Sequence, residues 1–163
     1  MSDRGRHTAG MAARKSAGLL VFRRSAGGVE VLLGHMGGPF WARREDGAWT
    51  VPKGEYAEED PVVAARREFA EELGMPAPPG ELLDLGSVRQ SGGKVVSVWA
   101  VEGDLDPAAA VSNTFALEWP PRSGRFEEFP ELDRVAWLDL AVARVRLVKG
   151  QVPFLDRLVE RLA

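Results

Sequence analysis

The sequence predicts one domain of α/β or α+β structure, in which a mixed β-sheet lies between helices. Three observations point to this class. The chain has 163 residues, a length that suits a single domain. Short runs rich in β-branched and aromatic residues are interspersed with amphipathic helical segments. Gly and Pro contribute 18 and 11 residues, which favours a loop-rich mixed domain over a helix bundle.

The first segment lacks apolar periodicity. Residues 1–15 are polar and rich in Gly, Ala and Arg, so we expect a flexible N-terminal arm there and a single domain over residues 16–163. Strands are predicted at residues 16–24, 29–36, 48–51, 82–90, 94–101, 115–119 and 135–138. Glycine-containing turns at 25–28 and 91–93 indicate hairpins, and we expect loops at 37–47 and 120–130.

One helix has clear start and stop signals. Asp60 can cap a helix that begins at Pro61, because its side chain accepts a hydrogen bond from a free backbone N–H. Gly74 is typical of a helix end, so the sequence predicts a helix over Pro61–Leu73. Two further helices are predicted at 139–148 and 153–162.

Composition excludes several classes of protein. The formal net charge is −3, so the chain is not a strongly basic nucleic-acid binder. No apolar run is long enough to cross a membrane, and the N-terminus lacks the layout of a secretory signal. The absence of Cys rules out disulfides, thiolate metal sites and a Cys nucleophile. We therefore expect a cytoplasmic protein.

Negative charge is concentrated in one segment. Residues 54–74 contain seven acidic residues and two Arg. On a helical wheel, Glu68, Glu71 and Glu72 fall within an arc of about 100°, and each like-charge pair costs roughly 0.2–0.5 kcal/mol. A divalent cation would reverse that repulsion, and carboxylate oxygens suit Mg²⁺ or Mn²⁺. The alternative for such a face is simple solvation.

The segment Lys53–Met75 resembles the Nudix box, the signature of the MutT/Nudix hydrolase superfamily. Every defined position from Glu59 to Met75 matches in identity and spacing, including the run Arg67-Glu68 and the pair Glu71-Glu72. The stretch from Gly54 to Glu59 contains four intervening residues where the pattern has five. The resemblance extends over about residues 16–160 and is strongest to a bacterial subgroup described as predicted NTP pyrophosphohydrolases.

This resemblance implies the Nudix fold and hydrolysis of a nucleoside diphosphate linked to another moiety, X. It implies metal ligation by Glu68, Glu72 and Glu71, together with a backbone carbonyl of Gly54 or Lys53, and Mg²⁺ or Mn²⁺ as the cofactor. Arg67 would pair with Glu59 and orient it. Glu71 ranks first as general base, and other candidates remain open: Glu59, Glu118, Glu127 and Glu128. The shortened loop motivates an alternative, a non-catalytic nucleotide-binding module.

A nucleotide substrate also needs cationic and aromatic partners. Arg43, Arg44 and Lys53 lie before or within the box and are candidates for phosphate binding, although each also fits a solvated surface charge. Trp41, Trp49, Tyr56 and Phe126 are candidates for stacking on a base, with core packing as the alternative for Trp41. We expect a small-molecule nucleotide as partner and no association with a membrane. The sequence disfavours a nucleic-acid partner and leaves a homodimer open.

Overall fold

The computed structural model describes residues 14–163, so the predicted arm lies outside the described residues except for Arg14 and Lys15. The strands are β1 (Lys15–Ser25), β2 (Gly28–Met36), β3 (Trp49–Thr50), β4 (Lys53–Tyr56), β5 (Leu83–Arg89), β6 (Val95–Glu102), β7 (Thr114–Glu118), β8 (Phe126–Pro130) and β9 (Leu132–Asp139). The helices are α1 (Pro61–Leu73), α2 (Leu140–Arg146) and α3 (Pro153–Leu162). No described helix has the length and apolarity required to cross a membrane.

The main sheet is mixed, as the sequence predicts. Its strands run in the order β3-β2-β1-β6-β5, with β4 also paired to β1 and β9 also paired to β2. Strand β1 is parallel to β6 and antiparallel to β2 and β4. Strands β7 and β8 form a separate two-stranded ribbon. In the chain, the ribbon follows β6 and leads into β9.

Helices cover both faces of this sheet because β1 alternates its side chains between two cores. Leu19 and Val21 lie in the core that contains Phe69 of α1. Leu20 lies in the second core, with Phe154 of α3. The sequence-predicted arrangement of a mixed sheet between helices is therefore confirmed.

Helix α1 has the boundaries that its terminal residues predict. The Asp60 side chain accepts a hydrogen bond from the Val62 N–H at 2.9 Å, which caps the first turn. Gly74 adopts the left-handed conformation, with φ of 68°, and its N–H donates to the Ala70 carbonyl. A Cβ at Gly74 would also lie 2.5 Å from the Val111 carbonyl oxygen, so glycine is required there for two reasons.

Two elements differ from the sequence prediction. The predicted loop 120–130 is wrong over its last part, since β8 occupies Phe126–Pro130 and pairs with β7. Its central Glu127 and Glu128 are exposed, so β8 lacks the apolar alternation of a half-buried strand. The short strand β4 was likewise not predicted, because its residues give no local strand signal and pair only through contact with β1.

Candidate active site

Strand β4 brings the backbone of Gly54 against the acidic face of α1. Gly54 pairs with Ala17 of β1, and Ala17 packs in the same core as α1. A Cβ built on Gly54 would lie only 1.8 Å from Glu68 Oε1. A glycine is therefore required for the Glu68 carboxylate to approach this strand.

Arg67 joins three of the acidic residues of the segment. Its Nε and Nη2 donate to the two carboxylate oxygens of Glu59, at 2.9 and 2.6 Å. Its Nη1 donates to Glu68 Oε2 at 2.7 Å and to Glu71 Oε2 at 3.2 Å. These bonds hold the pKa of Glu59 below its usual value. Arg67 thus offsets the like-charge repulsion that the acidic face would otherwise carry.

Glu72 differs from these three because no cation among residues 14–163 forms a hydrogen bond with it. Its side chain is almost fully buried, with 8% exposure. Burial, reinforced by repulsion from Glu131, raises the pKa of Glu72 to about 8, although Lys53 opposes the shift. A carboxylate in such surroundings is ionised only at a cost that a bound cation would remove.

Glu131 is a member of this cluster that the sequence did not reveal. Burial raises its pKa, and the charge of Lys53 opposes the rise. Its position depends on a hydrogen-bonded connection to α1: the Glu131 N–H donates to the Asn113 carbonyl at 2.8 Å, and the Asn113 N–H donates to the Glu71 carbonyl at 3.1 Å. Glu131 lies outside the box and 59 residues after Glu72, so only the tertiary fold brings it to the site.

The other carboxylates proposed as bases outside the box lie on the ribbon. Glu118 accepts a hydrogen bond from the Gly124 N–H, and Glu128 accepts one from the Thr114 hydroxyl. Glu127 is exposed on β8. Two of the three therefore stabilise the ribbon itself.

Lys53 lies among the carboxylates of the site. Burial, followed by repulsion from Lys94, lowers its pKa, whereas the charges of Glu72, Glu55 and Glu131 oppose that change. Lys53 is therefore a predicted phosphate ligand whose charge acts on both Glu72 and Glu131.

A cavity of about 480 Å³ opens beside Glu72. This volume falls within the range of small-molecule sites. Its walls include Trp49, Ser112 and the first residues of β9, from Leu132 to Ala136. Of these wall residues, the sequence indicates only Trp49, as a candidate for stacking on a base.

The remaining predicted substrate residues lie elsewhere. Trp41 packs against the core of α2 and α3, and it lines another cavity together with Arg44. Tyr56 packs against the core of α1, with Lys15 Nζ 5.1 Å from its ring centroid. Arg43 is exposed. The structure thus does not bring Trp41 or Arg44 to the Glu72 cavity.

Comparison with known proteins assigns this arrangement to a family. A family model described as NUDIX domain matches residues 12–161. The chain belongs to the NUDIX family. No curated protein gives a significant sequence match to it. The expected Nudix fold is therefore confirmed.

Several solved structures share the NUDIX fold with this chain. A binary complex of C. elegans Ap4A hydrolase has a TM-score of 0.62 and 21% identity, covering 90% of this chain and 97% of that one. The NUDIX domain of Shewanella oneidensis NrtR complexed with ADP ribose has a TM-score of 0.65 and 19% identity, covering 93% and 90%. RenU, a Nudix hydrolase from M. smegmatis, has a TM-score of 0.58 and 24% identity, covering 92% and 86%.

The NUDIX acidic cluster has donors suited to a hard divalent cation. Within residues 14–163, no three His, Cys, Asp or Glu side chains are already grouped as a metal site, and Arg67 forms ion pairs with Glu59, Glu68 and Glu71. The donor chemistry nevertheless fits Mg²⁺ or Mn²⁺: all the candidate side-chain ligands are carboxylates, and the Gly54 backbone lies against Glu68.

Proposed function

We propose that the protein is a Mg²⁺- or Mn²⁺-dependent pyrophosphohydrolase that cleaves the pyrophosphate linkage of a nucleoside diphosphate linked to X. The observation that carries this proposal is the group of carboxylates around Lys53, of which Glu72 is buried and Glu131 is partly buried. Glu72 and Glu131 lack a hydrogen-bonded cation among the described residues, and both have raised pKa values. The similar structures include an Ap4A hydrolase and a NUDIX domain complexed with ADP ribose, and both named compounds contain pyrophosphate linkages.

Each residue of the cluster has a proposed role. Glu68, Glu72 and Glu71 would hold the cation with the Gly54 carbonyl, and Arg67 would keep Glu59 oriented. A bound cation neutralises charge on the phosphates and lowers the pKa of a bound water. Lys53 would bind a phosphate oxygen, because an ammonium close to the carboxylates can bridge them to an anionic substrate.

The proton acceptor is assigned to Glu71. Its side chain is 45% exposed, so it can reach a water molecule, and Arg67 is bound to only one of its oxygens. Glu131 is a second candidate, since it borders the cluster from the link between β8 and β9. The pH–rate profiles of Glu71→Gln and Glu131→Gln separate the two candidates. The variant that lacks the base is expected to lose the acidic limb of the profile.

A substrate panel tests the activity. Nucleoside triphosphates, dinucleoside polyphosphates, ADP-ribose and nucleotide sugars are incubated with Mg²⁺, with Mn²⁺ and with EDTA, and mononucleotide release is measured. Glu68→Gln and Glu72→Gln are expected to reduce turnover on the order of 100-fold. Glu160→Gln, an exposed change on α3, is the matched control. Turnover that survives both EDTA and Glu72→Gln would contradict the proposal.

The second candidate function is a non-catalytic module that binds a nucleotide. Two observations favour it: the box loop is one residue short, and Arg67 engages three of the carboxylates. Calorimetry distinguishes the two functions. Tight nucleotide binding without turnover of any compound in the panel would support the binding module.

A further inference from the structure

A second cavity lies on the side of the sheet opposite α1. Its volume is about 580 Å³, and the segment 41–47 and helix α2 form its walls. Trp41, Leu147 and Val152, which line it, belong to or pack against the core of α3, whereas α1 packs in the other core. The cavity is therefore distinct from the one that borders Glu72, and its size suits a small molecule.

The charge of this cavity is positive although the chain as a whole is acidic. Two charged residues that line the cavity, Asp46 and Arg144, are neutralised by neighbours outside it. Asp46 accepts a hydrogen bond from Arg146, and Arg144 pairs with Asp156. Arg44 and Lys149 have no carboxylate oxygen within 4.0 Å among residues 14–163. Two uncompensated cations therefore face one cavity.

Trp41 supplies an aromatic surface between these cations and the core. It is half-buried, and the Arg44 guanidinium lies 5.6 Å from its ring centroid. Arginine over an indole ring leaves the planar guanidinium face free to stack on a further planar group. One wall thus offers a cation and an aromatic ring together.

The wall that carries Arg44 is held in place at two points. Buried His35 donates from Nε2 to the Arg44 carbonyl at 2.6 Å. The Gly47 N–H donates to the Val145 carbonyl of α2 at 3.1 Å. A fixed wall reduces the entropy that a ligand must overcome on binding.

We propose that this cavity is a second binding site, for a nucleotide or a related aromatic phosphate ester. Arg44 and Lys149 bind the phosphate group, and the base stacks on the Arg44–Trp41 pair. The acidic cluster at Glu72 repels such an anion unless a cation intervenes, whereas this cavity attracts it directly. Binding at this cavity does not require hydrolysis of a pyrophosphate at the acidic cluster.

Binding without divalent cations tests the site. The full chain in EDTA is titrated with ADP, pyrophosphate and adenosine, followed by calorimetry and by tryptophan fluorescence. ADP is expected to bind more tightly than either of the other two, and its affinity should fall as NaCl is raised. Equal affinity for adenosine and ADP would overturn the assigned role of the cations, and no ADP binding at millimolar concentration would overturn the site.

Four variants locate the bound ADP. Arg44→Gln and Lys149→Gln are each expected to weaken binding on the order of fivefold. Arg24→Gln is the matched control, because Arg24 also lies over an aromatic ring, that of Phe22, and its loss changes the net charge equally. Glu72→Gln is expected to leave ADP binding in EDTA unchanged.

The opposite pattern would refute the proposal. If Arg24→Gln weakens ADP binding as much as Lys149→Gln does, the effect is one of overall charge. If Glu72→Gln alters binding and Lys149→Gln does not, the ligand occupies the acidic site. Lys149 makes no side-chain hydrogen bond to described residues, so its substitution is expected to leave folding intact, and a circular-dichroism melt checks this.

Discussion

Glu72 links the stability of the metal-free protein to pH, and Glu72→Gln is expected to remove most of that dependence. The side chain is 8% exposed, and burial raises its pKa to about 8 from an ordinary 4.5. Between these two values the folded protein holds a proton that the unfolded chain has released. The contribution of the protonated group is fully present below about pH 4.5 and is lost as the pH rises through about 8.

The size of the effect follows from the two pKa values. Each pKa unit corresponds to 1.36 kcal/mol, so the interval from 4.5 to about 8 sets an upper limit of about 5 kcal/mol. Glu59, Glu45 and Asp156 have lowered pKa values, so their stabilisation is lost as the pH falls below their ordinary values. The interval from pH 5 to pH 9 therefore lies above the transitions of these exposed carboxylates and includes that of Glu72, while Lys53, whose pKa is lowered by burial, acts in the opposite direction as the pH rises.

Urea unfolding in EDTA, followed by tryptophan fluorescence from pH 5 to pH 9, measures the effect. The free energy of unfolding of the wild-type protein is expected to fall across this range, by up to about 5 kcal/mol. Glu72→Gln should give a flatter profile and exceed the wild type at pH 9, because the amide carries no charge. Glu160→Gln should follow the wild type. Parallel profiles for the wild type and Glu72→Gln would refute this reasoning.

Three further substitutions probe the framework of the site. Gly54→Ala places a Cβ 1.8 Å from Glu68 Oε1 and should lower Mg²⁺ affinity about tenfold in calorimetry. Gly27→Ala is the control, because a Cβ there has no atom within 4 Å, and it should leave the affinity unchanged. Equal affinities for the two variants would contradict the role of the Gly54–Glu68 contact. Arg67→Gln should lower the free energy of unfolding by about 1–2 kcal/mol in urea melts at low salt, and an unchanged value would show that the ion pairs contribute little. Asp60→Ala should cost about 1 kcal/mol in the same melts without changing Mg²⁺ affinity, and a metal defect would show that the cap positions ligands.

The sequence predicts α1 well because the signals that define it are local. Asp60 and Pro61 begin the helix and Gly74 ends it, and these residues act through hydrogen bonds to their immediate neighbours. The same holds for the β1–β2 and β5–β6 hairpins, whose turns contain glycine. Features set by adjacent residues could therefore be derived without the fold.

Features set by distant residues could not. Glu131 reaches the cluster through hydrogen bonds that involve Asn113 and Glu71, and no spacing in the sequence encodes that path. Trp41 and Arg44 precede the box in the chain, yet packing against α2 and α3 places them at another cavity. Sequence proximity to the box was therefore a poor guide to position in space.

The connection between α1 and the ribbon has a consequence for how this fold can vary. The Glu131 N–H donates to the Asn113 carbonyl and the Leu132 N–H donates to the Ser112 hydroxyl, so residues 114–130 leave and rejoin the domain at one hydrogen-bonded junction. Chain length added at the ribbon's far turn, around Gly124, would leave that junction fixed, and a longer loop costs little entropy. The ribbon is thus a place where insertions can accumulate, or a foreign peptide can be grafted, without displacing the acidic cluster.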